Sequence, residues 1–140
     1  MRTIVLDTNV IVAAARSRDG ASFLLLQELL GESRFRICLS VPLAMEYEMA
    51  VKKAGGLKPE DAEGLVDFLC EVGDRREIFF LWRPYLRDPK DEMVLELAVE
   101  ASAEAIVTHN VRDFAGVEDG FGIRVIRPGA FLLELERGEQ

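Results

Sequence analysis

Thr3-Ile4-Val5-Leu6-Asp7-Thr8-Asn9-Val10 is the stretch that decides the fold class. Thr3-Ile4-Val5-Leu6 is a short β-branched and apolar run, which reads as a strand buried on both faces. Asp7-Thr8-Asn9 then supplies the residue types that open helices, and residues 10–16 continue as one. A strand passing directly into a helix is the first half of a βαβ unit. Outward from it the alternation repeats. Asp19-Gly20 breaks the first helix, and residues 21–30 form a second that ends at Gly31. Phe35-Arg36-Ile37-Cys38-Leu39 is the second strand. Ser40-Val41-Pro42 starts a helix running to about Ala54, and Pro59 starts another running to about Val72. Residues 77–82 (EIFFLW) read as the third strand. Asp88-Pro89 opens a helix over 89–102, with Val94, Leu97, Ala98 and Ala101 on one face. Residues 105–108 and 123–126 are the fourth and fifth strands, and Pro128 starts a last helix. Strands separated by helices imply a parallel sheet wrapped by helices, an α/β fold forming a single domain over 1–140.

The 140 residues carry 25 acids against 17 bases, a net charge of −8, with 49% hydrophobic and 30% charged residues. Those fractions exclude a disordered chain. The length suffices for a core that needs no disulfide or metal staple. Cys38 and Cys70 lack any CxxC spacing and read as two reduced, buried thiols. The apolar N-terminal stretch is interrupted by Asp7, unlike a secretory h-region, and no run approaches the length of a membrane span. The expectation is a soluble, cytoplasmic protein that does not engage membranes. The acidic balance argues against broad adhesion to DNA, yet leaves open an enzyme that draws positive charge from a metal.

In open α/β sheets the working site lies beyond the carboxyl ends of the strands, and that is where acids collect here. Asp7 follows the first strand, where capping the next helix is the better reading when the residue is taken alone. Glu46 lies three residues after Leu43 on the apolar side of its helix and has no basic partner on that helix, whereas Glu48 has Lys52 four residues on. A carboxylate turned inward without a partner is costly unless a cation meets it. Asp88 and Asp91 share one helix start, where both have capping roles open to them. Asn110 and Asp113 repeat that arrangement after the fourth strand. Each has an ordinary explanation alone. Together they form a set of hard oxygen donors suited to Mg²⁺ or Mn²⁺.

Four motifs in order, Val5-Leu6-Asp7-Thr8-Asn9-Val10, Leu43-Ala44-Met45-Glu46-Tyr47, Asp88-Pro89-Lys90-Asp91 with Leu95-Glu96-Leu97-Ala98, and Val107-Thr108-His109-Asn110-Val111-Arg112-Asp113-Phe114, resemble the PIN-domain family. The likeness is greatest to its VapC-like toxin ribonucleases and extends to residues 123–128 and Phe131-Leu132. It implies a three-layer sandwich with a five-stranded parallel sheet flanked by helices. It implies a metal-dependent endoribonuclease, the toxin of a toxin–antitoxin pair, using one or two Mg²⁺ or Mn²⁺ ions. Asp7, Glu46 and Asp91 match the family's first three acids and are the expected metal ligands. Asn110 stands at the fourth acidic position, so a second ion would need Asp113 to turn inward. Asp7, Glu46, Asp91, Asn110 and Asp113 are thus the expected catalytic set, with Thr8, Asn9 and Thr108 as small polar supports. Expected partners are an RNA substrate, single-stranded or structured, a cognate antitoxin and a second copy in a homodimer.

Arg16, Arg18, Arg83, Arg87 and Arg112 fall near strand ends and are candidates for phosphate contacts, or equally scattered solubilising charge. Phe79, Phe80, Trp82 and Tyr85 could stack bases, although core packing or a dimer surface explains them better. His109, the single histidine, reads as a loop residue beside the site rather than a base. A DxDx phosphotransferase would need an acid where Asn9 stands, a receiver domain an Asp ending the third strand, and a P-loop enzyme a GxxxxGK[ST]. None is present. A non-catalytic PIN-like module that works by binding protein, and a general RNA-processing nuclease, are the alternatives. The four acids proposed as ligands account for half of the acidic surplus.

Overall fold

The computed structural model describes residues 2–78 and 84–138. β1 (Arg2–Leu6) leads into α1 (Thr8–Arg16) and α2 (Ala21–Glu28), and β2 (Phe35–Leu39) leads into α3 (Val41–Ala54) and α4 (Pro59–Val72). β3 (Asp74–Arg75) precedes α5 (Pro89–Glu100), β4 (Ala105–Val107), a 3₁₀ turn over Val111–Phe114 and α6 (Val117–Phe121). β5 (Arg124–Ile126) and α7 (Pro128–Arg137) close the chain. The five strands form one parallel sheet in the order β3-β2-β1-β4-β5.

Ile4, Val5 and Leu6 are consecutive in β1 and fully buried. Successive strand side chains point to opposite faces, so helices must cover both sides of the sheet. Full burial of each contributes about 1.5–3 kcal/mol. α5 lies against β1, β2 and β4, while α1 packs on α2 and α3, and α2 on α7. The three-layer α/β sandwich expected from the sequence is therefore the observed architecture. Among the described residues no helix is long and apolar enough to cross a membrane.

Helix starts are set locally. Ser40 Oγ accepts from the Leu43 N–H at 3.3 Å, and Asp88 Oδ1 accepts from the Lys90 N–H at 2.9 Å. Pro59, Pro89 and Pro128 occupy first positions, where a missing N–H costs nothing. The sequence departs from the structure at β3. Glu77 and Ile78 of the expected 77–82 strand carry no strand, Phe79–Trp82 lie outside the described residues, and pairing with β2 occurs earlier, Cys38 with Asp74 and Leu39 with Arg75. Close approach explains the position. A Cβ on Gly73 would stand 2.8 Å from the Leu69 carbonyl oxygen and 2.7 Å from Leu39 Cδ2, so a side chain there would crowd both the end of α4 and β2. The sequence also gave no sign of α6, which sits between Gly116 and Gly122, both with positive φ.

Candidate functional site

The strand order reverses between β1 and β4: β2 and β3 lie on one side of that pair and β5 on the other. Such a switch point opens a crevice beyond the strand ends. Leu6 pairs with Val107, and the Asp7 N–H donates to the Val107 carbonyl at 2.9 Å, so Asp7 and Thr108 emerge side by side. Below them the Tyr47 hydroxyl, itself buried, donates to the Leu6 carbonyl and fixes the end of β1.

Asp7 is 6% exposed. Burial of a carboxylate is costly unless it is hydrogen bonded, and three donors meet it. The Thr8 N–H donates to Oδ1 at 2.9 Å, Thr108 Oγ1 to Oδ2 at 2.7 Å, and Asn9 Nδ2 to Oδ2 at 3.2 Å. Asn9 Oδ1 in turn accepts from the His109 N–H at 3.1 Å, and Thr108 Oγ1 accepts from the Asn110 N–H at 3.0 Å. Asp7 therefore caps α1, as one of its two readings in the sequence had it, and belongs to a braced polar network. Burial raises its pKa above the ordinary aspartate value, the Thr108 and Thr8 hydrogen bonds work against that, and the charges of Asp113 and Asp88 add to the rise.

Asp91 enters from the first turn of α5 and Asp113 from the 3₁₀ turn. Both line a cleft of about 460 Å³ together with Tyr85, Arg87, Asp88 and Arg112. Desolvation first, then the charges of Asp7, Asp113 and Asp88, push the Asp91 carboxyl up to about 7. Burial is the largest part of that rise, and the neighbouring carboxylates add to it. Asp88 is the α5 cap that the sequence suggested, and it adds to this field.

Glu46 and Asn110 stand apart from that group. Glu46 has no basic partner on its own helix, and it is Lys90 Nζ from α5 that approaches its Oε1 at 3.3 Å. Spacing within one helix cannot reveal a base contributed by α5. Asn110 is exposed, and its side chain makes no capping hydrogen bond. His109 does lie beside the site, its Nε2 hydrogen bonded to buried Ser22 Oγ at 2.9 Å, with burial lowering its pKa. Of the arginines named from sequence, Arg87 and Arg112 line the cleft, Arg16 and Arg18 are exposed elsewhere, and Arg83 lies outside the described residues. Sequence reasoning missed Glu92. It is buried in α5, and its Oε1 accepts from the Tyr85 N–H at 2.8 Å and the Leu86 N–H at 2.7 Å, tying down the wall of the cleft. A larger, mostly apolar cavity of about 780 Å³ lies beyond it, lined by Val41, Pro42, Met93 and Glu96 among others. It contains neither Asp91 nor Asp113, both of which line the smaller cleft, so the smaller cleft is the chemically informative one.

The fit to a divalent cation divides into two parts. Among the described residues no three His, Cys, Asp or Glu side chains stand close enough together to form a ready ligand cage. The donor chemistry does fit: oxygen ligands, one buried and held rigid, with carboxyl groups whose pKa values burial raises and neighbouring negative charge raises further, a cost that a cation relieves.

Two solved structures share the fold. One is described as the crystal structure of VapBC2 from Rickettsia felis bound to a DNA fragment from their promoter, with a TM-score of 0.60 and 16% identity over 89% of this chain and 98% of that one. The other is VapBC-1 from nontypeable Haemophilus influenzae, with a TM-score of 0.59 and 16% identity over 91% and 98%. No curated protein matches the sequence. A family model described as PIN domain matches residues 3–112, which run from within β1 to the start of the 3₁₀ turn and so contain Asp7, Glu46, Asp91 and Asn110 but stop short of Asp113. By that match the chain belongs to the PIN domain family.

Proposed function

We propose that this protein is a metal-dependent ribonuclease, the VapC-like toxin of a toxin–antitoxin pair. The observation that carries the reading is the placement of Asp7, Asp91 and Asp113 around the β1/β4 switch point, where burial first, and then neighbouring carboxylate charges, raise the pKa values of Asp7 and Asp91. Asp7, Asp91 and Asp113 would hold Mg²⁺ or Mn²⁺, with Glu46 joining on release from Lys90 and Asn110 as a neutral oxygen donor. When bound, a divalent cation supplies charge neutralisation at the phosphodiester and lowers the pKa of water at the site. The protein's own part is positional. Thr108, Asn9 and the Thr8 N–H hold both Asp7 oxygens in place, and Arg87 and Arg112 on the rim offer cations to flanking phosphates.

Both structural neighbours carry VapBC names, which supports an antitoxin protein as a partner in the cytoplasm. A homodimer is supported by α3, where Val41, Met45 and Met49 recur every four residues, each more than 60% exposed. The decisive assay is cleavage of RNA with Mg²⁺ or Mn²⁺. Wild type is expected to cut and Asp7→Asn to lose at least a hundredfold in rate, while full activity of Asp7→Asn would sink the reading. The Glu46–Lys90 ion pair and the lack of a ready cage favour one alternative, a PIN module that acts by binding protein. Thermal unfolding with Mn²⁺ separates the two: stabilisation supports the nuclease, and an unmoved midpoint supports the binding module.

A further inference from the structure

Tyr85 is a large aromatic residue left 48% exposed, yet it is held at three points. Its backbone N–H donates to buried Glu92 at 2.8 Å, and the next N–H donates to the same oxygen. Its ring meets Phe121 edge to face, with centroids 5.0 Å apart. Its hydroxyl donates to the Gly116 carbonyl at 3.2 Å. The facing surface is cut to receive it: a Cβ on Gly116 would stand 2.7 Å from the Tyr85 hydroxyl oxygen, and one on Gly120 3.3 Å from it. Burying the ring further would have been the apolar choice. Instead it lines the same cleft as Asp91 and Asp113, with Arg87 and Arg112 beside it.

A fixed, half-exposed aromatic ring between carboxylates and arginines has the chemistry of a stacking platform. Bases stack on aromatic side chains only when they have left their own helix, and a ring already immobilised loses little freedom when one does. We propose that Tyr85 stacks on a base next to the scissile phosphate and thereby selects single-stranded RNA. This rests on the nuclease reading above and deepens it. The competing role is purely structural, a strut that holds α6 through the hydroxyl and the Phe121 contact. The two roles differ in what each part of the side chain does. Stacking needs the ring and not the hydroxyl; a strut needs both, and is indifferent to the bases of the RNA.

The test is steady-state cleavage, with Mn²⁺, of a single-stranded oligoribonucleotide, of the same strand in a duplex, and of versions carrying one abasic nucleotide at successive positions. Wild type is expected to prefer the single strand and to lose about 5- to 100-fold in kcat/KM at one abasic position, the range for one stacked base. Tyr85→Leu is expected to lose a similar factor, chiefly through KM, and to lose no more on that abasic strand. Tyr85→Phe should stay within about twofold of wild type. The proposal is overturned if wild type is indifferent to every abasic position, if Tyr85→Leu matches wild type, or if Tyr85→Phe falls as far as Tyr85→Leu. The abasic scan needs no variant, so it decides the matter even if Tyr85→Leu does not fold. Wild type that cuts no RNA would overturn the nuclease reading and this one with it, whereas cleavage without abasic sensitivity overturns stacking alone.

Discussion

Replacing Asp91 by Asn should make the metal-free protein more stable while abolishing its nuclease activity. The carboxyl titrates at about 7 in the folded chain against an ordinary value of 3.8, so folding disfavours its ionised form. At 1.36 kcal/mol per pH unit the gap sets a ceiling of about 4 kcal/mol. Asp91 is only half-buried, and solvent screening brings the working figure to ~1–2 kcal/mol. One effect opposes it: an acid in the first turn of α5 gains about 0.3–1 kcal/mol from the helix dipole, which Asn forfeits. The net runs from about zero to ~1.7 kcal/mol in favour of the variant. The sign follows from linkage. Below about pH 3.8 the group is protonated folded and unfolded, and there is no penalty. As pH rises towards 7 the unfolded chain releases the proton first and stability falls; above 7 the full cost is present. Urea unfolding in EDTA at pH 4, 6 and 8 should therefore show the variant gaining on wild type as pH rises, with a midpoint up to several degrees higher by heat at pH 8. Adding Mn²⁺ should stabilise wild type more than the variant. An Asp91→Asn protein less stable than wild type at pH 8, or one whose advantage does not change between pH 4 and 8, would refute the account of Asp91 as an acid raised by burial and by its neighbours' charges.

Thr108→Val preserves shape but removes the hydroxyl that donates to Asp7 and accepts from Asn110, so it should cost about 1.5–3 kcal/mol in urea unfolding at pH 7, the worth of a buried hydrogen bond to a charged group. A loss under about 0.5 kcal/mol would contradict the bracing role. At the other end of the sheet Glu134 is held at about 2 by Arg124 and Arg2. Its depressed value contributes stability above the ordinary 4.5 that is lost as pH falls towards 2, worth ~1–2 kcal/mol after screening at half-exposed Arg124. Glu134→Gln should therefore be less stable than wild type at pH 6 and equal to it near pH 2, and a difference that ignores pH would count against the ion pairs.

Legibility in the sequence followed the range of the forces involved. β2 and the starts of α3, α4, α5 and α7 could be read because Ser40, Pro42, Pro59, Pro89 and Pro128 act on their immediate neighbours. β3 could not, since an edge strand is placed by where the chain can approach β2, and Gly73 rather than the apolar run after it decides that. α6 was hidden by its own glycines, which look like loop but serve as left-handed caps. In the site, Asp7, Asp91 and Asp113 were legible as acids at strand ends and helix starts. The Lys90 partner of Glu46 comes from another helix and left no local trace. Glu92 looks like any acidic residue in a first turn, and only the structure reveals the two loop N–H groups it collects.

The acids in and beside the cleft are held in unlike ways. On the β1/β4 side, Asp7 is buried and each of its oxygens is hydrogen bonded, so its position is fixed before any ligand arrives. On the α5 and 3₁₀ sides, Asp91 is half-buried and Asp113 exposed, and both come from the ends of short-range elements. Repulsion keeps such groups apart when nothing positive lies between them, which accounts for oxygen donors of the right kind without a closed cage. On the metal reading, the free energy stored in that repulsion is returned when a cation enters, so the same charges that weaken the empty fold strengthen binding. A fixed first ligand sets where the ion sits, and the adjustable acids then close on it. The stability cost at Asp91 and the proposed activity are thus two consequences of one arrangement, the placement of three carboxylates where the sheet reverses its strand order.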